Sequence, residues 1–181
     1  MADPRDRRGE RLGVLAGMAA GLAVTLAALL WPGLPAGPSD PAARIRAWLA
    51  CDLWAGAWLA VCVARLARHR FFSDADIDAA LSVGTSEARV LQSLTQNTLE
   101  QAVLAMVAYG AWLIPADPPL PAASVWIAAG CFGLGRLLFM VGYARGAAWR
   151  SLGFALTFYP TVGLMLGRAG WLLAEAATGW R

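Results

Sequence analysis

Five long apolar stretches run through the chain, separated by short segments rich in Arg, Asp or Pro. A bilayer core of about 30 Å is crossed by a helix of about 20 residues, and the stretches have that length. The first, Leu12–Trp31, is free of charge and has Thr25 as its polar side chain; the second, Ala47–Ala64, holds Asp52. The fourth, Ala122–Tyr143, holds Arg136, and the fifth, Ser151–Ala174, holds Arg168 and Pro160, where a kink is expected. The third, Ala88 to Ile114, is different: Gln92, Ser93, Thr95, Gln96, Asn97, Thr98, Glu100 and Gln101 come first, and only then does it turn apolar. Proline-rich connectors at Pro32–Pro41 and Pro115–Pro121 mark two turns, and Thr85 stands where it would cap the third helix. No segment has the alternation of a strand. The pattern predicts an all-α integral membrane bundle.

Composition narrows the class. Of 181 residues 59% are hydrophobic and 15% charged, with a mean hydropathy of +0.53; an ordinary soluble domain has about 45–50% and about 25%. The length suits one domain. All 15 basic residues are Arg, and they sit between the apolar stretches rather than along one face, which argues against nucleic-acid binding. The three cysteines, Cys51, Cys62 and Cys131, lie within apolar stretches without metal-ligand spacing and read as free, buried thiols. A single His69 cannot build a bis-His haem or His-rich metal site. Asp74-x-Asp76-x-Asp78 imitates the start of a calcium loop, but Ala79 and Thr85 stand where Gly and Glu are required. No metal is expected, and Phe71–Glu87 reads as a solvated loop.

The arginines orient the bundle. Arg5, Arg7, Arg8, Arg11, Arg65, Arg68, Arg70, Arg89, Arg145 and Arg150 fall on one side; Arg44, Arg46 and Arg181 fall on the other. The positive-inside rule then puts the N-terminus in the cytoplasm and the C-terminus outside, in what is expected to be a bacterial inner membrane. A cleaved signal is the alternative for the first stretch, which is longer than the about 7–15 residues of an h-region. Gly13, Gly17 and Gly21 recur every four residues and predict a face on which another helix docks closely.

Ionisable groups within a bilayer require a partner, a water cavity or a function. Ser93, Gln96, Asn97 and Glu100 follow the i, i+3, i+4, i+7 spacing of one helical stripe, and Arg136 lies two turns before Tyr143 on the fourth helix. A Glu100–Arg136 ion pair is expected where these stripes meet. The plainer reading makes them interhelical polar contacts only.

Asn97-x-x-Glu100, followed by Arg136-x-x-Phe139-x-x-x-Tyr143-x-Arg145 and Arg150-Ser151-x-Gly153-Phe154, resembles the family of membrane-associated proteins in eicosanoid and glutathione metabolism, the MAPEG family. The resemblance covers roughly Ala47 to Leu173 and extends to the microsomal glutathione transferases of that family; it implies that residues 1–43 are an N-terminal segment with an extra helix outside the family pattern, ahead of a four-helix domain at 44–181. It implies a four-helix bundle assembled as a homotrimer, with glutathione bound as co-substrate between subunits and a hydrophobic small molecule reaching it from the bilayer. It makes Arg150 the candidate for stabilising the glutathione thiolate, with Arg65 or Arg68 as alternatives, and gives Asn97, Glu100 and Tyr143 the positioning of the tripeptide. Ser93 stands where the family commonly has Arg, with Gln96 and Arg89 nearby to compensate, and Phe139 replaces a frequent Tyr. The implied function is a glutathione-dependent transferase or peroxidase; the alternative is a non-catalytic bundle of the same fold that binds lipid or a protein partner.

Overall fold

The computed structural model describes residues 4–31, 33–35, 37–78, 84–114 and 123–179. These residues form five helices and no strand: α1 (Pro4–Leu29), α2 (Pro41–Phe72), α3 (Ser86–Leu113), α4 (Ala123–Gly142) and α5 (Ala147–Ala177), with one 3-10 turn at Tyr143–Arg145 between the last two. The second proline connector, Ala79, Ala122 and Arg181 lie outside the described residues, as does Pro32 of the first connector. Helices α1, α2, α3 and α5 extend beyond their apolar stretches at the N-terminal end, whereas α4 keeps within its own. The Arg-bearing ends of α1, α2 and α5 are helical turns rather than loops, because nothing in those flanks breaks a helix.

Residues Arg7–Ala28 of α1, all of α2 and all of α4 are long and apolar enough to cross a bilayer. With 28 and 31 residues, α3 and α5 are also long enough, and they turn Thr98, Gln101, Ser151, Thr157 and Thr161 to buried positions. Apolar side chains such as Leu53, Val107, Leu134, Val141 and Leu166 stand exposed. In water this much uncovered apolar surface would be a liability; here it meets the lipid. The chain is an integral membrane protein.

Local chemistry fixes the helix starts. The Asp40 carboxylate caps α2 by accepting from the Ala43 N–H at 2.9 Å, with Pro41 in the first turn. Thr85 caps α3 as its position predicts, its hydroxyl accepting from the Ala88 N–H at 3.2 Å. Gly146, with φ +106°, turns the chain into α5 but offers no side chain to cap it. The carboxylate of Glu10, from α1, accepts from the Ala147 N–H at 3.3 Å instead. Helix α5 runs on unbroken through Pro160.

Small residues set the packing. Ala47, Cys51 and Ala55 of α2, Ala102, Ala105 and Ala108 of α3 and Ala128 and Ala129 of α4 surround the larger Tyr109, Trp112, Phe132 and Leu164 in one buried cluster. The Trp112 indole donates to the Leu164 carbonyl at 2.6 Å and that of Trp54 to the Ala129 carbonyl at 3.1 Å. A second cluster of Leu66, Leu91, Leu94 and Phe139 lies toward the Arg-rich end. As the spacing of Gly13, Gly17 and Gly21 predicts, α1 docks through them onto Ala148, Ser151 and Ala155 of α5. Of the cysteines, Cys51 and Cys62 are buried, whereas Cys131 is half-buried; all three are free.

Candidate functional site

Helices α4 and α5 touch backbone to backbone, and this contact places the polar groups. A Cβ on Gly135 would meet the Gly153 carbonyl oxygen at 2.7 Å; one on Gly142 would meet the Trp149 carbonyl oxygen at 2.6 Å; one on Gly153 would strike the Phe139 backbone nitrogen. Gly135, Phe139 and Gly142 follow each other at helical spacing on the face of α4 that meets α5. Arg136, beside Gly135, is therefore carried into the interior.

There it is fully buried. One arm of its guanidinium donates to Asn97 Oδ1 of α3 at 2.8 Å and the other to Thr157 Oγ1 of α5 at 2.7 Å. The Phe139 ring lies 4.6 Å from its central carbon, a cation–π contact. Nε has no hydrogen-bond partner. A buried charge is costly unless it is paired or hydrogen-bonded, and here two neutral oxygens meet the two terminal nitrogens and a ring faces the central carbon. Glu100 does not. It is exposed and accepts from the Gln96 side chain at 2.9 Å, so the expected Glu100–Arg136 ion pair is absent. Glu100 lies three residues beyond Asn97, about 60° round the helix, and that rotation turns its carboxylate away while Asn97 takes the guanidinium.

Beyond Arg136 toward the Arg-rich end, Phe139 and Tyr143 pack edge to face at 5.5 Å, and the Arg150 guanidinium lies over the Tyr143 ring at 4.7 Å. These groups border a cavity of about 340 Å³. Ser93, Asn97, Tyr143, Arg150 and Ser151 give it polar lining; Val14, Met18, Phe139, Ala147 and Phe154 give it an apolar wall. A guanidinium beside an apolar wall can hold an anionic atom and an uncharged greasy group side by side. With Asn97 Oδ1 engaged by Arg136, the amide nitrogen is the donor that Asn97 has left.

The structure thus gathers Asn97, Tyr143 and Arg150 around one cavity and ties Arg136 to it through Asn97. Gln96 and Glu100 form an exposed pair on α3. Arg65 and Arg68 are exposed on α2 and line a separate cleft of about 460 Å³ with His69, Phe72, Ser73, Glu87 and Leu91. Sequence reasoning missed Thr157, Val14 and Met18. Thr157 follows Gly153 by four residues and so shares its face; Val14 and Met18 directly follow Gly13 and Gly17 and share their spacing.

The junction of α2 and α3 corrects another expectation. Asp76 is buried rather than solvated. Its carboxylate accepts from the Thr85 hydroxyl at 2.6 Å, the Thr85 N–H at 2.7 Å, His69 Nε2 at 2.8 Å and the Ser73 hydroxyl at 2.9 Å. The two Thr85 bonds foremost, and then those of His69 and Ser73, hold its pKa well below the usual carboxylate range. Asp76 is a clasp between helices. It explains why this stretch departs from the calcium-loop pattern it imitates.

Comparison with known proteins adds one positive finding. The model of the MAPEG family matches residues 45–170, from the first turns of α2 into α5, and leaves α1 outside the match. No curated protein and no solved structure matches the chain. The match covers well over half of the sequence and every helix that lines the cavity apart from α1, and on that ground the chain belongs to the MAPEG family.

Proposed function

We propose that the protein is a membrane-embedded, glutathione-dependent transferase or peroxidase in which Arg150 stabilises the glutathione thiolate. Family membership supports a membrane glutathione transferase-like or related role. The observation that carries the finer reading is the position of Arg150, whose guanidinium borders the same cavity as Asn97 and Tyr143 and faces an apolar wall. A free thiol with a pKa of about 8.5 is only a few per cent ionised at neutral pH, and each unit of lowering requires about 1.4 kcal/mol of preferential thiolate stabilisation. A guanidinium supplies it without losing its own proton, and its planar fork also suits a carboxylate. Asn97 and Tyr143 donate to the tripeptide, and Arg136 fixes the orientation of Asn97.

In the transferase reaction the thiolate sulfur forms a bond to an electrophilic carbon, and the leaving group departs with the bonding pair; the thiol proton has passed to water. In the peroxidase reaction the sulfur attacks the terminal hydroperoxide oxygen, the O–O bond breaks, the alkoxide leaves as the alcohol after protonation, and a second glutathione thiol attacks the resulting sulfenic sulfur, expelling water and forming the disulfide. Gln96, Glu100, Arg65 and Arg68 fit this reading in a homotrimer. An exposed amide–carboxylate pair on a membrane helix is unsuited to lipid and is covered when a second copy packs there, with the arginines of one copy reaching the glutathione held by another. Residues 1–43 are an accessory segment to the unit at 44–181, and the Arg-rich end faces the cytoplasm of a bacterial cell.

Ser93 and Phe139 favour a second reading, a non-catalytic bundle that binds lipid or a partner, since Ser93 lacks the charge, and Phe139 the hydroxyl, common at those positions in the family. Purified protein in detergent, given glutathione with a reactive aryl halide or with a hydroperoxide, separates the two. Conjugate or alcohol formed above the uncatalysed rate is expected. Absence of both, together with no rise in melting temperature on adding glutathione, would establish the second reading.

A further inference from the structure

We propose that α1 is the specificity element of this cavity: the side chains of Val14 and Met18 form the wall that limits how large an apolar co-substrate can lie beside Arg150. The inference rests on the glutathione-dependent reading for the identity of the reaction, but the wall itself is geometry. Among the apolar side chains of α1 at this end, Leu12 and Leu15 are 66% and 62% exposed and point to lipid, whereas Val14 and Met18 are half-buried and line the cavity.

Three contacts hold that wall at one height. Gly13 sits against Ala148, where an added Cβ would meet the Ala148 Cβ at 2.7 Å; Gly17 sits against Ser151, the neighbour of Arg150; and Glu10 accepts from the Ala147 N–H. A shift of α1 along α5 would break all three. The backbone at Val14 and Met18 is therefore held at one height along α5. They present only carbon, hydrogen and a thioether, so they select by size and not by polarity. At about 340 Å³ the cavity is at the small end of the range of about 300–1,000 Å³ for small-molecule sites. The fitting co-substrate is a compact, uncharged electrophile with a short apolar group. An apolar group that extends from the guanidinium toward α1 meets Met18.

Met18→Ala and Met18→Trp test this against a homologous series of electrophiles that differ only in alkyl length, with Met18→Leu as the volume-conserving control. In Met18→Ala the ratio of kcat/KM for the longer over the shorter members should rise about tenfold, and in Met18→Trp it should fall by a similar factor. A length profile that stays the same in both variants while turnover persists overturns the proposal. If the wild type neither binds glutathione nor turns over, the functional reading has failed and the wall is read independently. A Met18→Cys variant is labelled with N-ethylmaleimide, against a wild-type background, in the presence of short and long alkyl compounds. Protection by the short and not the long compound supports the wall; protection by neither, or equally by both, overturns it.

Discussion

Arg150 and Asp76 are charged side chains whose surroundings make opposite demands. Arg150 is half-buried over a ring and free to meet an anion, so its removal should be read in the chemistry. Arg150→Ala is expected to lower the conjugation rate at pH 7 by about one to two orders of magnitude, and raising the pH should recover part of that loss as the thiol ionises unaided. Arg168→Ala, toward the other end of α5, should leave the pH profile in place. An Arg150→Ala profile equal to wild type would transfer the role to Arg65 or Arg68. Asp76 is read in stability instead. Its folded pKa lies below its unfolded value of about 3.9, so its contribution is complete above that pH and is lost as the pH falls through the folded value. Asp76→Asn should lower Tm at pH 7 and flatten the acid limb of the Tm-versus-pH curve. A variant whose acid limb matches wild type would show that other carboxylates govern it.

Helix faces were legible in the sequence where one periodicity sufficed. Thr85 as a cap and Gly13, Gly17 and Gly21 as a docking stripe needed only spacing within one element, and both stand as expected. The partner of Arg136 needed the rotation of three helices at once. Asn97 and Glu100 lie on one stripe of α3, and nothing in α3 or α4 reports that Thr157 of α5 completes the set; a carboxylate is the stronger acceptor for an arginine on paper, but the helix turned it outward. The contact that fixes this rotation is glycine on backbone between α4 and α5. Gly153→Ala would force its Cβ against Phe139, and a destabilisation of about 1–3 kcal/mol is expected, measured as a fall in Tm. Gly56→Ala, in a helix position with nothing near its Cβ, should be neutral or slightly stabilising. Equal effects of the two substitutions would refute the close α4–α5 contact as the determinant.

At the scale of the whole molecule, the number and order of helices were open to view because a bilayer demands about 20 apolar residues for each crossing. The cavity was not, since it forms where four helices and a 3-10 turn meet. The expected orientation rests on the distribution of arginines and is independent of the chemistry. Reporter fusions after Arg70 and after Trp149 should read cytoplasmic, and fusions near Pro118 and after Arg181 external. A cytoplasmic signal at Pro118 would reverse the assignment or remove a span.

The borrowed cap of α5 has a consequence for how the protein is made. Chains are synthesised from the N-terminus, so α1 enters the membrane first and α5 last. Glu10, which meets the opening N–H of α5, is waiting before that helix exists. The first turn of α5, which carries Arg150, is completed only when the earliest helix to be inserted finds the latest. A nascent chain halted after the 3-10 turn would hold Asn97, Arg136 and Tyr143 but have no Arg150 and no Thr157. The corner of the cavity that holds Arg150 is thus completed after the helices that form its other walls.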